Sequence, residues 1–194
     1  MHPAANSISP AAAVSLLHGR RVGAACAAGK TLDEVAEIAE RYAANMASLA
    51  VQVACATHPQ NGMSFGDLAE SDMMEIGAGQ HGEGGGVRVP MMSSKDTIAT
   101  VAKALTDHLG LKAGDKAFVM VNGSGATTLM EMYILYKDAV AYLENMGVKV
   151  VACMVGEILT VQEAAGFQLN IAKWDDEIEA LWNTPAHATV FFKE

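Results

Sequence analysis

The chain has 194 residues, a formal net charge of −9, 51% apolar residues and 18% charged residues. This composition excludes an intrinsically disordered chain, and the negative charge disfavours binding to nucleic acid or to an anionic membrane surface. A chain of this length fits one domain, so we expect a single domain over residues 1–194, with residues 1–8 frayed.

The first half of the chain predicts two helices followed by a strand. A helix of small residues covers about 10–28. The next helix begins at Thr31, where Glu34 completes a capping-box pattern. The short, valine-rich run at 49–56 predicts a buried strand, and turn signals predict a loop over 59–72.

The rest of the chain continues to alternate between strands and helices. The predicted strands are 73–76, 87–92, 116–121, 148–155 and 167–172, and the predicted helices are 94–109, 129–145, 157–165 and 175–182. Several of these strands are apolar on both faces, which is typical of a sheet that helices cover. The sequence therefore predicts an α/β fold with a mixed, mostly parallel sheet covered by helices.

The cysteines and the apolar runs indicate neither a metal site nor a membrane span. Cys26, Cys55 and Cys153 are far apart and stand among apolar residues, so we expect small buried side chains in a reduced, cytoplasmic protein and no metal site. The apolar run at 11–17 is too short to cross a membrane. The 12 methionines predict core filling, with an adaptable interface as the alternative.

Six glycines between residues 77 and 86 surround one histidine, His81. Gly79 and Gly82 allow the backbone to fold tightly and leave the imidazole accessible as a base, a ligand or a nucleophile. Glu83 is close enough in sequence to orient the ring. The alternative is a flexible turn with a solvent-exposed histidine. The spacing does not fit a dinucleotide-binding fingerprint.

A second candidate site lies where a predicted strand ends at Asn122-Gly123-Ser124 and a helix follows. Backbone N–H groups at such a junction suit an anion or a polar ligand. No lysine is present, which excludes a Walker A phosphate loop. The alternative is a well-capped helix start in which Asn122 braces the turn.

The acidic run Asp175-Asp176-Glu177 is the third candidate. Paired carboxylates can bind a metal or act as acid catalysts, but acids in the first turn of a helix more often complement the helix dipole. The remaining histidines are predicted to have structural or surface roles. They are His2, His18, His58, His108 and His187.

Four motifs follow one another along the chain. They are Glu75-x-Gly77-x-Gly79-x-His81-Gly82-Glu83, Asn122-x-x-Gly125-Ala126-Thr127-x-Leu129-x-Glu131-x-Tyr133, Ala165-Gly166-Phe167-x-Leu169 and Lys173-x-Asp175-Asp176-Glu177. In this order they resemble the substrate-binding K subunit of dihydroxyacetone (glycerone) kinase. The resemblance covers roughly 20–185 and corresponds to only the second half of that subunit. Gly84 stands where the family usually has proline, and Gln80 where it usually has an apolar residue.

The resemblance implies that His81 attacks the carbonyl carbon of a small ketose, such as dihydroxyacetone, and forms a hemiaminal. Such a bond selects carbonyl compounds against polyols of similar size, and it positions a hydroxyl for phosphoryl transfer. Binding is expected to weaken as the pH falls, because the attacking imidazole must be neutral. The implied catalytic residues are His81 and Glu83, and the implied substrate-binding residues are Gly79, Gln80, Gly82, Asn122, Gly123 and Ser124.

The resemblance also implies partners. No cofactor is expected in this chain, whereas ATP and Mg²⁺ are expected on a separate L-type subunit, with ATP or a phosphotransferase relay as the phosphoryl donor. Another chain would supply the missing first half, in a homo- or hetero-oligomer, and this chain is not expected to be active alone. The alternatives are a carbonyl-binding regulator or co-activator without catalysis, and a structural partner that has lost the chemistry.

Overall fold

The computed structural model describes residues 19–68, 72–79, 85–188 and 191–193. Within these ranges the helices are α1 (Gly19–Ala27), α2 (Leu32–Ala44), α3 (Ser94–Leu109), α4 (Leu129–Asn145) and α5 (Asp176–Asn183). The strands are β1 (Met46–Ala54), β2 (Met73–Ile76), β3 (Val87–Pro90), β4 (Lys116–Gly123), β5 (Lys149–Gly156), β6 (Ala165–Lys173), β7 (Ala186–Ala188) and β8 (Phe191–Lys193).

Six strands form one sheet in the order β3-β2-β1-β6-β4-β5, and β7 pairs separately with β8. The mixed sheet with helices is confirmed. Its pairing, however, is mainly antiparallel, because β4–β5 is the one parallel pair among neighbours in this sheet. The predicted excess of parallel pairs is therefore wrong. A parallel pair needs a crossover element, and α4 supplies one only between β4 and β5.

The helix predicted over 157–165 is also wrong, because residues 157–164 form an irregular connection between β5 and β6. The side chain of Asn122 accepts hydrogen bonds from the backbone N–H groups of Ile158 and Leu159, at 2.8 and 2.9 Å. A side chain that is distant in sequence thus fixes these two N–H groups, and the connection between β5 and β6 is anchored to β4.

The two faces of the sheet carry different side chains, because successive residues of a strand point to opposite sides. Helices α3 and α4 cover one face over the larger apolar core, which includes Ala47, Leu49, Val51, Met74, Val119, Leu169 and Ile171. Helices α1, α2 and α5 pack on part of the other face, around Met46, Phe118, Met120, Ala172 and Trp174. The rest of that second face is polar.

Side chains cap the starts of three helices. Thr31 and Glu34 form the predicted capping box at the start of α2, and Ser93 caps α3. Asp175 caps α5 by accepting a hydrogen bond from the N–H of Ile178 at 2.7 Å. The acidic run thus serves a helix end, and no cluster of potential metal ligands is found among the described residues.

Exposure corrects two predictions about apolar residues. Cys26 and Cys153 are exposed and Cys55 is partly buried, because Cys26 points outward from α1 and Cys153 lies on the edge strand β5. The methionines divide between core and surface. Met46, Met74, Met120 and Met132 are buried, whereas Met63, Met91 and Met130 are more than half exposed.

A fully buried arginine, Arg21, joins α1 to the second face. Its guanidinium lies 4.7 Å from the ring centroid of Tyr42 and 5.1 Å from that of Trp174. Burial lowers the pKa of Arg21 to about 10. Two aromatic faces thus stabilise a cation in the interior. Within the described ranges, no helix combines the length and apolar character that crossing a bilayer requires.

Candidate functional site

Buried polar side chains from four strands share one face of the sheet, which we call the polar face. They are Ser48 and Gln52 on β1, Glu75 on β2, Asn122 on β4, and Gln168 and Asn170 on β6, each at most 6% exposed. Burying polar groups is unfavourable unless they are hydrogen-bonded. Polar side chains concentrated on one face, opposite an apolar face, therefore point to a site.

The segment 77–86, which we call the glycine segment, is fixed to the sheet at both ends. At its start, the N–H of Gly77 donates to the carbonyl of Ala50 at 2.8 Å. At its end, one carboxylate oxygen of Glu75 accepts from the N–H groups of Gly85 and Gly86, at 3.0 and 2.9 Å. A Cβ at Gly86 would lie 2.4 Å from the carbonyl oxygen of Ile76, so only glycine fits there.

Arg88 continues this arrangement on β3. Its guanidinium lies 2.7 Å from a carboxylate oxygen of Asp67 and 3.8 Å from one of Glu75. The hydrogen bond from Arg88 lowers the pKa of Asp67. Because Arg88 and Asp67 are exposed, their ion pair adds little stability; its effect is to orient the base of the hairpin that carries the glycine segment.

The side chain of Asn122 forms hydrogen bonds to the backbone of the connection between β5 and β6. Besides accepting from Ile158 and Leu159, its amide N–H donates to the carbonyl of Leu159 at 2.8 Å. The neighbouring Gly123 faces the carboxylate of Glu157, because a Cβ at Gly123 would lie 2.3 Å from that oxygen. Burial raises the pKa of Glu157. Asn122 therefore braces the connection between β5 and β6, and not the turn at the start of α4 that the alternative interpretation of this motif predicted.

The turn after β4 depends on two close backbone approaches. Gly125 has a φ of 133°, and a Cβ there would lie 1.8 Å from the carbonyl oxygen of Gln162. Gly166 approaches β1 so closely that a Cβ would lie 2.3 Å from the carbonyl oxygen of Val51. The hydroxyl of Thr127 bonds both the carbonyl and the N–H of Gly166, at 2.5 and 3.0 Å. These contacts explain the glycines of two motifs.

A small cavity of about 10 Å³ lies where the glycine segment meets the turn. Its lining includes Gly79, Ser124, Gln52 and Gln168. The structure thus brings together two predicted substrate-binding residues that are distant in sequence, Gly79 and Ser124. Asn122 and Gly123 lie beside them and contact the connection after β5. The other predicted site residues, Gln80, His81, Gly82 and Glu83, lie outside the described residues.

The roles of Glu75, Gln52 and Gln168 were not predicted from the sequence. A signal existed for each, because a polar residue inside a short apolar strand is unusual. Glu75 interrupts Met-Met-Glu-Ile, and Gln168 belongs to the alternating run Phe-Gln-Leu-Asn-Ile. Alternation alone shows that these residues share a face, but it does not show which strands are neighbours.

Comparison with known proteins gives a family match over most of the chain. The Dak1 domain matches residues 11–190. The dihydroxyacetone-binding subunit DhaK of PTS-dependent dihydroxyacetone kinase 1 from Listeria innocua is 38% identical over 156 residues, which are 80% of this chain and 47% of that protein. The corresponding subunit of the PEP-dependent kinase from Escherichia coli is 28% identical over 197 residues, covering 89% and 55%. The chain spans about half the length of these relatives.

Solved structures show the same fold. The dihydroxyacetone kinase operon co-activator Dha-DhaQ matches with a TM-score of 0.83 and 28% identity, covering 89% of this chain and 54% of the other. The dihydroxyacetone kinase from C. freundii, in complex with AMP-PNP and Mg²⁺, matches with a TM-score of 0.74 and 21% identity, covering 93% and 35%. At that identity the second match shows the fold alone.

Proposed function

The chain belongs to the Dak1 family, and from this premise we propose that it is the substrate-binding half of a small-ketose kinase. In this proposal His81 binds the ketose covalently, Glu83 orients the imidazole, and a partner subunit carrying ATP and Mg²⁺ supplies the phosphoryl group. A separate chain completes the half that this chain lacks relative to its relatives, of which it spans about half.

The observation that carries the proposal is the anchoring of the glycine segment on the polar face. Glu75 and the carbonyl of Ala50 hold its two ends, and Gly79 and Ser124 line the same small cavity. A reactive histidine needs a backbone that is fixed on both sides, since misplacing a reacting atom by about 1 Å can slow a reaction a hundredfold. This support favours a built site over a flexible turn.

The covalent step balances without any further reagent. The lone pair of the imidazole nitrogen forms a C–N bond to the carbonyl carbon, and the electron pair of the C=O double bond moves to the oxygen. The proton that the imidazole loses is taken up by that oxygen. No water leaves, so the protein gains the mass of one whole ketose.

The test is the intact mass of the protein after incubation with dihydroxyacetone and quenching without borohydride. We expect an adduct of one ketose on the wild type and none on His81→Ala. A matched control is His108→Ala, because His108 is an exposed histidine in the last turn of α3. This control should bind ketose like the wild type.

The measurement is made with and without the partner chains. An adduct that persists in His81→Ala, or no adduct on the wild type even in the complete assembly, contradicts covalent binding at His81. Glycerol, which has no carbonyl group, should give no adduct at any concentration.

A second candidate function is a carbonyl-binding co-activator that does not catalyse phosphoryl transfer. The similarity to the Dha-DhaQ co-activator favours it, with 28% identity and a TM-score of 0.83. The two functions separate when the assembly is supplied with ATP, Mg²⁺ and dihydroxyacetone. Formation of the adduct without ketose phosphate, in the presence of the ATP-binding subunit, supports the co-activator and contradicts the kinase role.

A further inference from the structure

Gln168 carries a buried polar atom that the fold leaves unsatisfied. The residue is 5% exposed, and its side-chain oxygen is buried with no hydrogen-bond partner in the part of the chain that the structure describes. Leaving a buried acceptor without a hydrogen-bond partner destabilises the folded protein. Its neighbours on the polar face are paired, since Asn122 bonds to the 158–159 backbone and Asn170 bonds to Ser48.

The position of Gln168 relates this atom to the site. Gln168 pairs with Ala50 of β1 and with Asn122 of β4 in the sheet register. The cavity that it lines is also bounded by Ala78, Gly79 and Ser124. Ala78 is buried, and among the described residues its backbone and that of Gly79 form no hydrogen bond to another residue. Gln168, with its unpartnered side-chain oxygen, and the start of the glycine segment therefore line one cavity.

The size and chemistry of the cavity suit one water molecule. A water needs about 10–15 Å³ of this kind of volume and two to four polar partners, and the cavity measures about 10 Å³. Gln168, Gln52, Ser124 and the backbone of Gly79 supply donors and acceptors around it. A whole ketose does not fit in this volume.

We propose that Gln168 is a positioning residue that holds the start of the glycine segment against the polar face through one buried water molecule. The water bridges the Gln168 side chain to the backbone at Ala78 and Gly79, two residues before His81. Gln168 thereby sets how firmly the segment leading to His81 is held. The consequence for ligand binding rests on the proposed function, whereas the positioning itself does not.

The test is amide hydrogen exchange in peptides covering the glycine segment of the ligand-free protein. Gln168→Met keeps the length of the side chain and removes its hydrogen-bonding atoms. We expect exchange at residues 77–79 to accelerate about fivefold, which corresponds to the loss of one hydrogen bond of about 1 kcal/mol. Exchange in β4 should stay unchanged, because the side chain of Gln168 forms no hydrogen bond to β4 among the described residues.

Two variants serve as controls. Val161→Ala enlarges the same cavity without removing a polar atom, and it should leave exchange at 77–79 at the wild-type rate. Gln168→Asn keeps the amide group and should retain most of the protection. Unchanged exchange in Gln168→Met, or equal acceleration in Val161→Ala, overturns the inference.

If Gln168→Met does not fold, a crystal structure of the wild type that shows ordered waters tests whether the bridging water is present. A water bonded to Gln168 and to the backbone at Ala78 or Gly79 supports the inference, and a dry cavity overturns it. In the complete assembly, Gln168→Met should weaken dihydroxyacetone binding about fivefold. Failure of the wild type to form any adduct defeats the proposed function, while the exchange result still decides the role of Gln168.

Discussion

Glu75 is the residue that ties the glycine segment to the sheet. Its carboxylate bonds to two backbone N–H groups, and such charge-assisted bonds are stronger than neutral ones. We expect Glu75→Ala to lower the free energy of unfolding by about 2 kcal/mol, because both N–H groups lose their acceptor. Urea unfolding followed by circular dichroism measures this loss.

The matched control for Glu75 is Asp67→Asn, which removes the other carboxylate beside Arg88. Because Asp67 is exposed, this change should alter the unfolding free energy by less than about 0.5 kcal/mol. Equal losses in the two variants would show that Glu75 acts only through the surface ion pair.

Individual residues of the candidate site differ in how far their roles could be predicted from the sequence. Gly79 and Ser124, one from each glycine-rich candidate, line one cavity, whereas the hydrogen bonds of Asn122 to the 158–159 backbone were not predicted. The role of Gln168 could not be predicted, because it depends on β6 lying between β1 and β4. That neighbourhood is a property of the whole sheet.

The capping box of α4 provides a prediction at the scale of elements. Thr128 accepts from the N–H of Glu131, and the Glu131 carboxylate accepts from the N–H of Thr128 at 2.8 Å. We expect Thr128→Ala to lower the free energy of unfolding by about 1 kcal/mol, a typical effect of losing a cap. Urea unfolding measures it, and Thr100→Ala, within α3, should have a smaller effect.

The same cap gives the stability a defined pH dependence. The hydrogen bonds from Thr128 lower the pKa of Glu131 below its ordinary value. A carboxyl with a lowered pKa in the folded state stabilises the fold above its unfolded pKa, and this contribution is lost as the pH falls through the folded pKa. The stability difference between the wild type and Glu131→Gln should therefore shrink in acid. A constant difference contradicts this account.

Elements were predictable where their signals are local. The capping box of Thr31 and Glu34 acts within one turn of helix, so the sequence predicted it. The helix predicted over 157–165 does not form, because a side chain from β4 binds the backbone of that segment. The prediction of mostly parallel pairs was wrong, because the relative direction of two neighbouring strands depends on whether a crossover helix connects them. Arg21 was missed because charged residues are rarely fully buried.

At the scale of the whole molecule, the proposed function predicts dependence on partners. We expect this chain alone, with ATP, Mg²⁺ and dihydroxyacetone, to form no ketose phosphate. Activity should appear when an ATP-binding subunit and a chain resembling the missing half are added together. Coupled spectrophotometric assay of the separate and combined chains measures it, with His81→Ala in the full mixture as the control. Robust activity of the chain alone contradicts the split-subunit account.

The place of β6 determines when the large sheet can be completed while the chain is being synthesised. This strand is the last of the large sheet along the chain, yet it lies at the centre, between β1 and β4. Synthesis proceeds from the N-terminus at about 5–20 residues per second, so β1 and β4 lack the strand that lies between them until residue 173 has left the ribosome. Open edges promote aggregation. Because β6 pairs with both β1 and β4, the large sheet is complete only once this strand has been added.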